Sequence, residues 1–184
     1  PNVKSATIIP AYNEQSTIAE VIESAKQFGL VIVVDDGSED DTALVAQQSG
    51  ARVVSHSSNK GYDAPIESGF AQAASLNVDM VVTLDADLQD DPSEIKNLLS
   101  KIDEGWDLVS GWKKDRKDPS SKRFLSKVFN FVLRKISGVN IHDFNCGLKA
   151  YRLNVIKKLN IYGGLHRFIP YLAASNGFSV TEII

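Results

Sequence analysis

Residues 30–38 read LVIVVDDGS, an uninterrupted apolar run that ends in an acidic turn. Valine and isoleucine without intervening polar residues are typical of a strand that is buried on both faces of a sheet. Parallel sheets covered by helices contain such strands, so this stretch predicts an α/β protein. A similar run, Met80–Leu84, is followed by the sequence DADLQ at residues 85–89.

Strand and helix patterns alternate on both sides of these two runs. Further strands are predicted at Ala6–Pro10, Ala51–Ser55 and Asp107–Ser110, and helices near residues 17–29, 41–48, 65–75 and 91–105. A capping box formed by Thr17 and Glu20 is expected to open the first helix. The alternation over residues 6–111 predicts a mainly parallel central sheet with right-handed crossovers and flanking helices. In such sheets, ligands bind beyond the carboxyl ends of the strands.

The regular alternation of strand and helix patterns ends after Gly111. Residues 112–120 are polar and predict a loop, residues 121–137 predict an amphipathic helix, and a loop entering a strand is expected over residues 143–152. Helices near residues 154–159 and 166–176 and a strand at 180–184 complete the prediction. Between Trp112 and Lys135 lie nine basic and two acidic residues, although the net charge of the chain is −3. This local excess indicates either an anionic partner or a solvated helix face.

The composition is that of one soluble globular domain, with 184 residues of which 43% are hydrophobic and 23% charged. The single cysteine, Cys146, excludes an internal disulfide and fits a reducing compartment. No apolar run approaches the ~18 residues that a membrane span needs. Because the sequence begins without methionine and stops inside an apolar run, we expect it to be a piece of a longer protein, in which membrane helices can follow.

The ends of the first two predicted strands carry polar and aromatic side chains. Residues 10–14 read PAYNE and contain no glycine. The sequence also lacks the dinucleotide-binding glycine fingerprint and the P-loop. These absences argue against a dinucleotide oxidoreductase and a P-loop NTPase. Tyr12 can stack on a base or sugar and Glu14 can accept N–H donors, or both can belong to a capped turn. Asp35 and Asp36 can bind a nucleotide's ring N–H or ribose hydroxyls, or cap a turn, and these roles are compatible.

The segment DADLQ is the most informative strand end. Asp85, Asp87 and Gln89 offer two carboxylates and an amide oxygen at alternate positions, and such hard donors suit Mg²⁺ or Mn²⁺. Acids beside a diphosphate would repel it, so the segment predicts a metal ion that stabilises charge on a departing nucleoside diphosphate. The simpler interpretation is an acid-rich loop that leads into a helix.

Four segments together resemble glycosyltransferase family 2, whose members have the GT-A (nucleotide-diphospho-sugar transferase) fold. They are IPAYNE at 9–14, VVDDGS at 33–38, NKGY at 59–62 and LDADLQ at 84–89. Three more segments are similar to the dolichyl-phosphate mannosyltransferase branch and its bacterial polyprenyl-phosphate relatives: SGWKKDRKD at 110–118, DFNCGLKAYR at 143–152 and HRFIP at 166–170.

The resemblance implies a role for each group of residues. The donor-binding residues would be Pro10, Ala11, Tyr12, Glu14, Asp36, Lys60, Asp85, Ala86 and Asp87. The metal ligands would be Asp85, Asp87 and Gln89, and the catalytic residues would be Asp87 and Asp143, the latter as a base or acceptor-positioning group. The acceptor phosphate would contact Lys113, Arg116, Lys117, Arg123, Ser126 and Arg167.

The resemblance also implies an activity and a domain organisation. Residues 1–184 would form one GT-A catalytic domain, with a nucleotide-sugar-binding half at 1–111 and an acceptor-binding half at 112–184 that is truncated at its C-terminus. The enzyme would be inverting and metal-dependent, and would move a mannose- or glucose-type sugar from GDP-mannose or UDP-glucose to a polyprenyl or dolichyl phosphate in cell-envelope biogenesis. Its partners would include a membrane surface but no nucleic acid, and it would act in the cytoplasm, at the cytoplasmic face of a membrane.

Three alternatives stay open. A soluble family 2 transferase acting on a hydroxyl of a glycan, lipid or protein would need a general base, with Asp143 the first candidate, whereas a lipid phosphate is largely dianionic at neutral pH and needs little help. A nucleotidyltransferase would usually carry a glycine-rich, basic loop early in the chain, which residues 9–16 lack. A binding module without activity is disfavoured by the intact DADLQ segment. Asp63 departs from the family, which usually has a small residue there, and this departure can alter donor preference or the shape of the loop.

Overall fold

A single sheet forms the centre of the fold. The computed structural model describes residues 4–112, 134–135, 138–159 and 164–183. In this part of the chain the strands are β1 (Ser5–Ala11), β2 (Leu30–Asp35), β3 (Arg52–Ser55), β4 (Met80–Thr83), β5 (Leu108–Gly111), β6 (Lys149–Arg152) and β7 (Val180–Ile183). The described helices are α1 (Ile18–Ala25), α2 (Thr42–Gln48), α3 (Asp63–Ala74), α4 (Ile95–Asp103), α5 (Leu153–Ile156) and α6 (Ile169–Ser175). The predicted loop at 112–120 and helix at 121–137 lie almost entirely outside the described residues.

The strands lie in the order β3-β2-β1-β4-β6-β5-β7. β1 is parallel to β2 and β4, β2 is parallel to β3, and β5 is parallel to β7. β6 is antiparallel to both of its neighbours, so that Ala150 lies opposite Val82 of β4 and Val109 of β5. The predicted α/β class and mainly parallel sheet are confirmed, but the antiparallel direction of β6 and its place between β4 and β5 were not predicted.

Both faces of the sheet are covered, which explains why its central strands are apolar throughout. On one face Ile9 and Val33 pack with the buried side of α1 and α4, and on the other Ile8 and Ile32 pack with α3 and α6. All six residues from Val31 to Asp36 are buried, as the run at 30–38 predicted. Each large apolar side chain buried in this way contributes about 1.5–3 kcal/mol of transfer free energy, which is the main force that holds the layers together.

Several helices differ in detail from the prediction. The capping box at Thr17 and Glu20 is wrong: Thr17 makes no side-chain cap bond, and its hydroxyl donates to the carbonyl and to Oε2 of Glu14 (3.2 and 2.7 Å). The fourth helix begins with a 3₁₀ turn, Pro92–Glu94, which Asp91 caps by accepting the N–H of Ser93 at 2.9 Å. The predicted helix near 166–176 likewise begins with a 3₁₀ turn, Leu165–Phe168, before α6.

The sheet order creates one place where a ligand can bind. From β1 the chain builds outward in one direction to β2 and β3 and in the other to β4, so the strand order reverses between β1 and β4. In α/β sheets, ligands bind outside the carboxyl ends of the strands at such a reversal. Tyr12, Asp36 and Asp85 all follow strands that end there. Among the described residues, no helix is long and apolar enough to cross a membrane.

Candidate functional site

The loops that follow β1 and β2 are tied together by side-chain hydrogen bonds. Asn13, which adopts a left-handed φ of 55°, donates its N–H to Ser38 Oγ and accepts the N–H of Glu39, both at 2.9 Å. Asparagine tolerates this conformation better than most residues. Pro10 and Ala11 are buried at the end of β1, directly before this loop.

The two candidate nucleotide-binding side chains on the first loop differ in exposure. Tyr12 is 43% exposed, so one face of its ring is available to a ligand. Glu14 is half-buried; its N–H donates to Thr42 Oγ1 at 2.8 Å and its carboxylate accepts from Thr17. The predicted stacking role of Tyr12 is therefore compatible with the structure, whereas Glu14 is already engaged by its own chain.

Asp36 is buried, and its carboxylate organises a neighbouring loop. Oδ2 accepts the N–H groups of Lys60 and Gly61 at 2.9 and 3.0 Å, and Oδ1 lies 2.6 Å from His56 Nδ1. His56 Nε2 in turn lies 2.9 Å from Ser68 Oγ on α3. Asp36 therefore holds Lys60 in place through the backbone. The chain from Asp36 through His56 to Ser68 was missed by sequence reasoning, because no local pattern joins these three positions.

A cavity of about 280 Å³ opens beside the end of β4. Its lining contains both polar and apolar residues, and comprises Tyr62, Ile66, Thr83, Asp85, Asn145, Cys146, Gly147, Lys149, Tyr151, His166, Arg167 and Ile169. Asp85 is half-buried, and the Tyr62 hydroxyl donates to its Oδ1 at 2.6 Å. Although 39% of Tyr62 is exposed, burial of its hydroxyl end and the adjacent Asp85 charge raise its pKa well above 10.0, so the phenol stays a neutral donor.

Gly147 allows the backbone to approach the Asp85 carboxylate. A Cβ at this position would lie 2.1 Å from Asp85 Oδ2, which is closer than any side chain can be. The Gly147 carbonyl accepts from Thr83 Oγ1 at 2.7 Å, which joins the segment before β6 to the end of β4. Glycine is thus favoured here, because any Cβ would force the Asp85 carboxylate or the 145–149 backbone to shift.

Lys149 places a buried amino group in the same cavity. It lies on β6 opposite Thr83, is only 4% exposed and donates to the Cys146 carbonyl. Burial lowers its pKa, while the negative charges of Asp143 and Asp85 act in the opposite direction. The sequence predicted only that Lys149 lies in a strand. Lysine is rarely buried, and no periodic sequence pattern identifies a buried lysine.

Burial raises the pKa of Cys146 to about 11, so its thiol is neutral. The side chain is buried and forms no disulfide.

The loop after β4 carries the predicted metal ligands in different surroundings. Asp85 lines the cavity and Ala86 is buried, whereas Asp87 and Gln89 are exposed and do not belong to the cavity lining. Asp87 Oδ1 accepts the N–H of Gln89 at 3.0 Å, and Leu88 between them has a left-handed φ of 59°. Within the described residues, no three His, Cys, Asp or Glu side chains form a group that could hold a metal. The predicted set has only two such residues, so its metal binding stays a prediction.

The candidate acceptor side of the site is described only in part. Asp143 is 4% exposed, its Oδ1 accepts the N–H of Asn145 at 3.0 Å, and the residues that follow it, rather than Asp143 itself, line the cavity. Arg167 is exposed and lines the cavity. The other predicted phosphate contacts lie outside the described residues: Lys113, Arg116, Lys117, Arg123 and Ser126.

A mainly parallel sheet with acidic turns after β2 and β4 and a cavity beside Asp85 defines the GT-A class of fold. Glucosyl-3-phosphoglycerate synthase of Mycobacterium tuberculosis, solved with phosphoglyceric acid, is similar with a TM-score of 0.79 and 24% identity, over 98% of this chain and 69% of that one. The same synthase in complex with Mn²⁺, UDP-glucose and phosphoglyceric acid gives the same TM-score, identity and coverage. At 24% identity, this similarity shows only that the two proteins share a fold.

The sequence comparison identifies the family within this class. The model of glycosyl transferase family 2 matches residues 6–159, and the chain belongs to this family. Two relatives are undecaprenyl-phosphate 4-deoxy-4-formamido-L-arabinose transferases. That of Shewanella sediminis is 35% identical over 94% of this chain and 54% of its own length, and that of Edwardsiella ictaluri is 36% identical over 97% and 58%. The chain therefore spans little more than half the length of these relatives.

Proposed function

We propose that this chain is the catalytic domain of an inverting, metal-dependent glycosyltransferase that moves a sugar from a nucleotide diphosphate to a polyprenyl phosphate. The observation that carries the proposal is the Asp85 carboxylate, which follows β4 at the strand-order reversal and faces a cavity that also contains Lys149 and Arg167. Membership of family 2 and the acceptor named for the two bacterial relatives support the same reaction.

The donor would occupy the crevice between the ends of β1, β2 and β4. The exposed Tyr12 ring offers a stacking face for the base, and the loop that Asp36 holds brings Lys60 to the same edge. Pro10, Ala11 and Ala86 would shape the crevice, with Glu14 as an acceptor. We assign residues 1–111 to this donor half and residues 112–184 to the acceptor half.

The side chains on the loop after β4 fit a hard divalent cation. Asp85, Asp87 and Gln89 supply carboxylate and amide oxygens, which Mg²⁺ and Mn²⁺ prefer, and Gly147 keeps the space beside Asp85 Oδ2 free of a Cβ. The ion supplies charge compensation for the departing nucleoside diphosphate when bound. The solved fold relative with Mn²⁺ and UDP-glucose supports this choice of cofactor.

The acceptor chemistry follows from the charge of a lipid phosphate. A phosphate monoester has a second pKa of about 6, so at neutral pH it is a nucleophile without help from a base. Arg167 would contact its phosphoryl oxygens, as would the basic residues of the 113–123 segment and Ser126. These cations would also favour an anionic membrane surface, which agrees with action at the cytoplasmic face. Asp143 would then position the acceptor.

The proposal is tested by transfer to lipid vesicles. The intact chain is mixed with Mn²⁺, vesicles that contain undecaprenyl phosphate, and one labelled donor at a time: UDP-glucose, GDP-mannose or a nucleotide-linked 4-deoxy-4-formamido-L-arabinose. We expect metal-dependent label in the lipid fraction for at least one donor. Vesicles with undecaprenol, which has a hydroxyl in place of the phosphate, are the matched control, and transfer to hydroxyl acceptors alone would replace the proposal with a hydroxyl-acting transferase.

A further inference from the structure

Asp63 makes a long-range contact. It begins α3, and its carboxylate reaches a segment 101 residues later in the chain. Oδ2 accepts the N–H groups of Gly164 and Leu165, the latter at 3.1 Å. Oδ1 contacts the His166 ring at Nδ1 and accepts the His166 N–H at 3.4 Å.

These contacts supply a helix cap that the local sequence lacks. The first N–H groups of a helical segment have no partner within it and need an acceptor from outside. The 3₁₀ turn Leu165–Phe168 leads directly into α6, and the residue before it, Gly164, has no side chain to accept them. Asp63 takes this role from α3, and its side chain is only 14% exposed, so the contact is shielded from solvent.

The residue before Asp63 connects the same turn to the predicted metal loop. The Tyr62 ring packs against the His166 ring, with 4.7 Å between their centres, and the Tyr62 hydroxyl donates to Asp85. Arg167 follows His166 directly and lines the cavity that Asp85 also lines. Asp63, the first residue of α3, and Tyr62, which immediately precedes it, therefore both contact the turn that carries Arg167, and Tyr62 also contacts Asp85, which lines the same cavity as Arg167.

We propose that Asp63 is a positioning residue, which holds the Leu165–Phe168 turn so that Arg167 can bind a phosphoryl group of the substrate in this cavity. The ligand part of this proposal rests on the proposed function. The phosphoryl group can come from the nucleoside diphosphate of the donor or from the lipid phosphate of the acceptor, since both present the oxygens that an arginine binds.

The first experiment tests the positioning and needs no ligand. Hydrogen exchange is measured for the amides of residues 164–166 in the wild type and in Asp63→Asn. The variant keeps the size of the side chain but replaces one acceptor oxygen by an NH₂ group. We expect exchange at these amides to become roughly tenfold faster, because a charge-assisted acceptor is lost.

A matched control is available at the other end of the sheet. Asp107 also accepts backbone and side-chain donors, from Ser179 at 2.8 Å each, and is also partly exposed. Asp107→Asn should leave exchange at residues 164–166 unchanged. Equal exchange in the wild type and in Asp63→Asn would overturn the proposal. If Asp63→Asn does not fold, Asp63→Ser, which retains a hydroxyl acceptor, replaces it in both experiments.

The second experiment asks whether Asp63 acts through Arg167. Affinities are measured for UDP and GDP with Mn²⁺, and separately for vesicles with and without undecaprenyl phosphate, in the wild type, Asp63→Asn, Arg167→Gln and the double variant. We expect Asp63→Asn to weaken the binding of one probe roughly tenfold, and the same change to have little effect once Arg167 is replaced. The affected probe identifies the source of the phosphoryl group.

The outcomes separate this proposal from the proposed function. If the wild type binds a probe and Asp63→Asn binds it equally well, or if the effects of the two substitutions simply add, Asp63 does not act through Arg167 and only the present proposal fails. If the wild type binds neither probe, the proposed function fails, and the ligand part of this inference fails with it, while hydrogen exchange still decides the positioning part.

Discussion

The close approach of Gly147 to Asp85 leads to a quantitative prediction. In Gly147→Ala the new Cβ would lie 2.1 Å from Asp85 Oδ2 and 2.4 Å from Cγ, whereas real Cβ contacts are not shorter than 3.0 Å. The φ of Gly147 lies outside the left-handed region, so alanine adds no backbone strain. The clash must therefore be relieved by a movement of about 1 Å between the carboxylate and the 145–149 segment.

A displacement of this size has different effects on stability and on binding. Overpacking of this kind costs about 1–3 kcal/mol in the free energy of unfolding. A catalytic group misplaced by about 1 Å can reduce a rate by roughly 100-fold. We therefore expect sugar transfer, and Mn²⁺-dependent affinity for a nucleoside diphosphate, to fall far more than stability.

Calorimetric titration with UDP or GDP, together with thermal unfolding, measures both effects. Gly69→Ala is the matched control, because its Cβ would lie 2.3 Å from Ile8 Cγ2 in the core, and neither Gly69 nor Ile8 lines the cavity. It should lower stability without changing Mn²⁺-dependent affinity. Wild-type affinity in Gly147→Ala would refute the role that the geometry gives to Asp85.

Three further predictions concern the surroundings of the cavity. Tyr62→Phe removes the donor to Asp85 and should cost about 1 kcal/mol of stability, with a several-fold loss of Mn²⁺-dependent nucleotide affinity; titration that finds no loss would contradict an orienting role for the hydroxyl. The pKa of Asp63 is lowered, because its bonds to His166 and to backbone N–H groups outweigh the opposing effect of burial. A depressed carboxyl pKa gives stability that is present above the unfolded value near 3.9 and is lost as pH falls through the folded value. Urea unfolding should thus show Asp63→Asn less stable than the wild type by about 1 kcal/mol at pH 7 and by less at pH 3, and a constant difference would contradict the charge effect. Burial raises the Cys146 pKa to about 11, so the folded protein should resist alkylation by iodoacetamide at pH 8 while the unfolded chain reacts, and equal rates would show that the thiol is accessible.

The parts of the fold that were predicted correctly are those that local patterns determine. The run at 30–38 is apolar because β2 is buried on both faces, and its acidic end marks the carboxyl edge of the sheet. β6 could not be placed from sequence, since the pattern at 149–152 gives a strand but neither its direction nor its position between β4 and β5. Strand pairing of this kind depends on contacts with residues distant in the chain.

The same distinction between local patterns and long-range contacts applies to the residues of the candidate site. Asp85 and Asp36 were found because each follows a buried strand, whereas the buried lysine of the cavity, Lys149, lies in a strand and gave no signal. Asp63 was recognised only as a departure from the family, because its partners are about 100 residues away. The predicted Thr17–Glu20 capping box is absent, and the Thr17 hydroxyl donates to Glu14 Oε2 instead.

The central claim is that Asp85, Asp87 and Gln89 hold a divalent ion against the diphosphate of the donor. It is tested most directly by calorimetric titration of the wild type and Asp87→Ala with UDP and GDP, with and without Mn²⁺. Asp103→Ala is the control, an exposed aspartate at the end of α4. We predict that Mn²⁺ raises wild-type and Asp103→Ala affinity about tenfold or more, and that Asp87→Ala loses this gain while its melting temperature is unchanged. Retention of the full Mn²⁺-dependent gain in Asp87→Ala would contradict the claim.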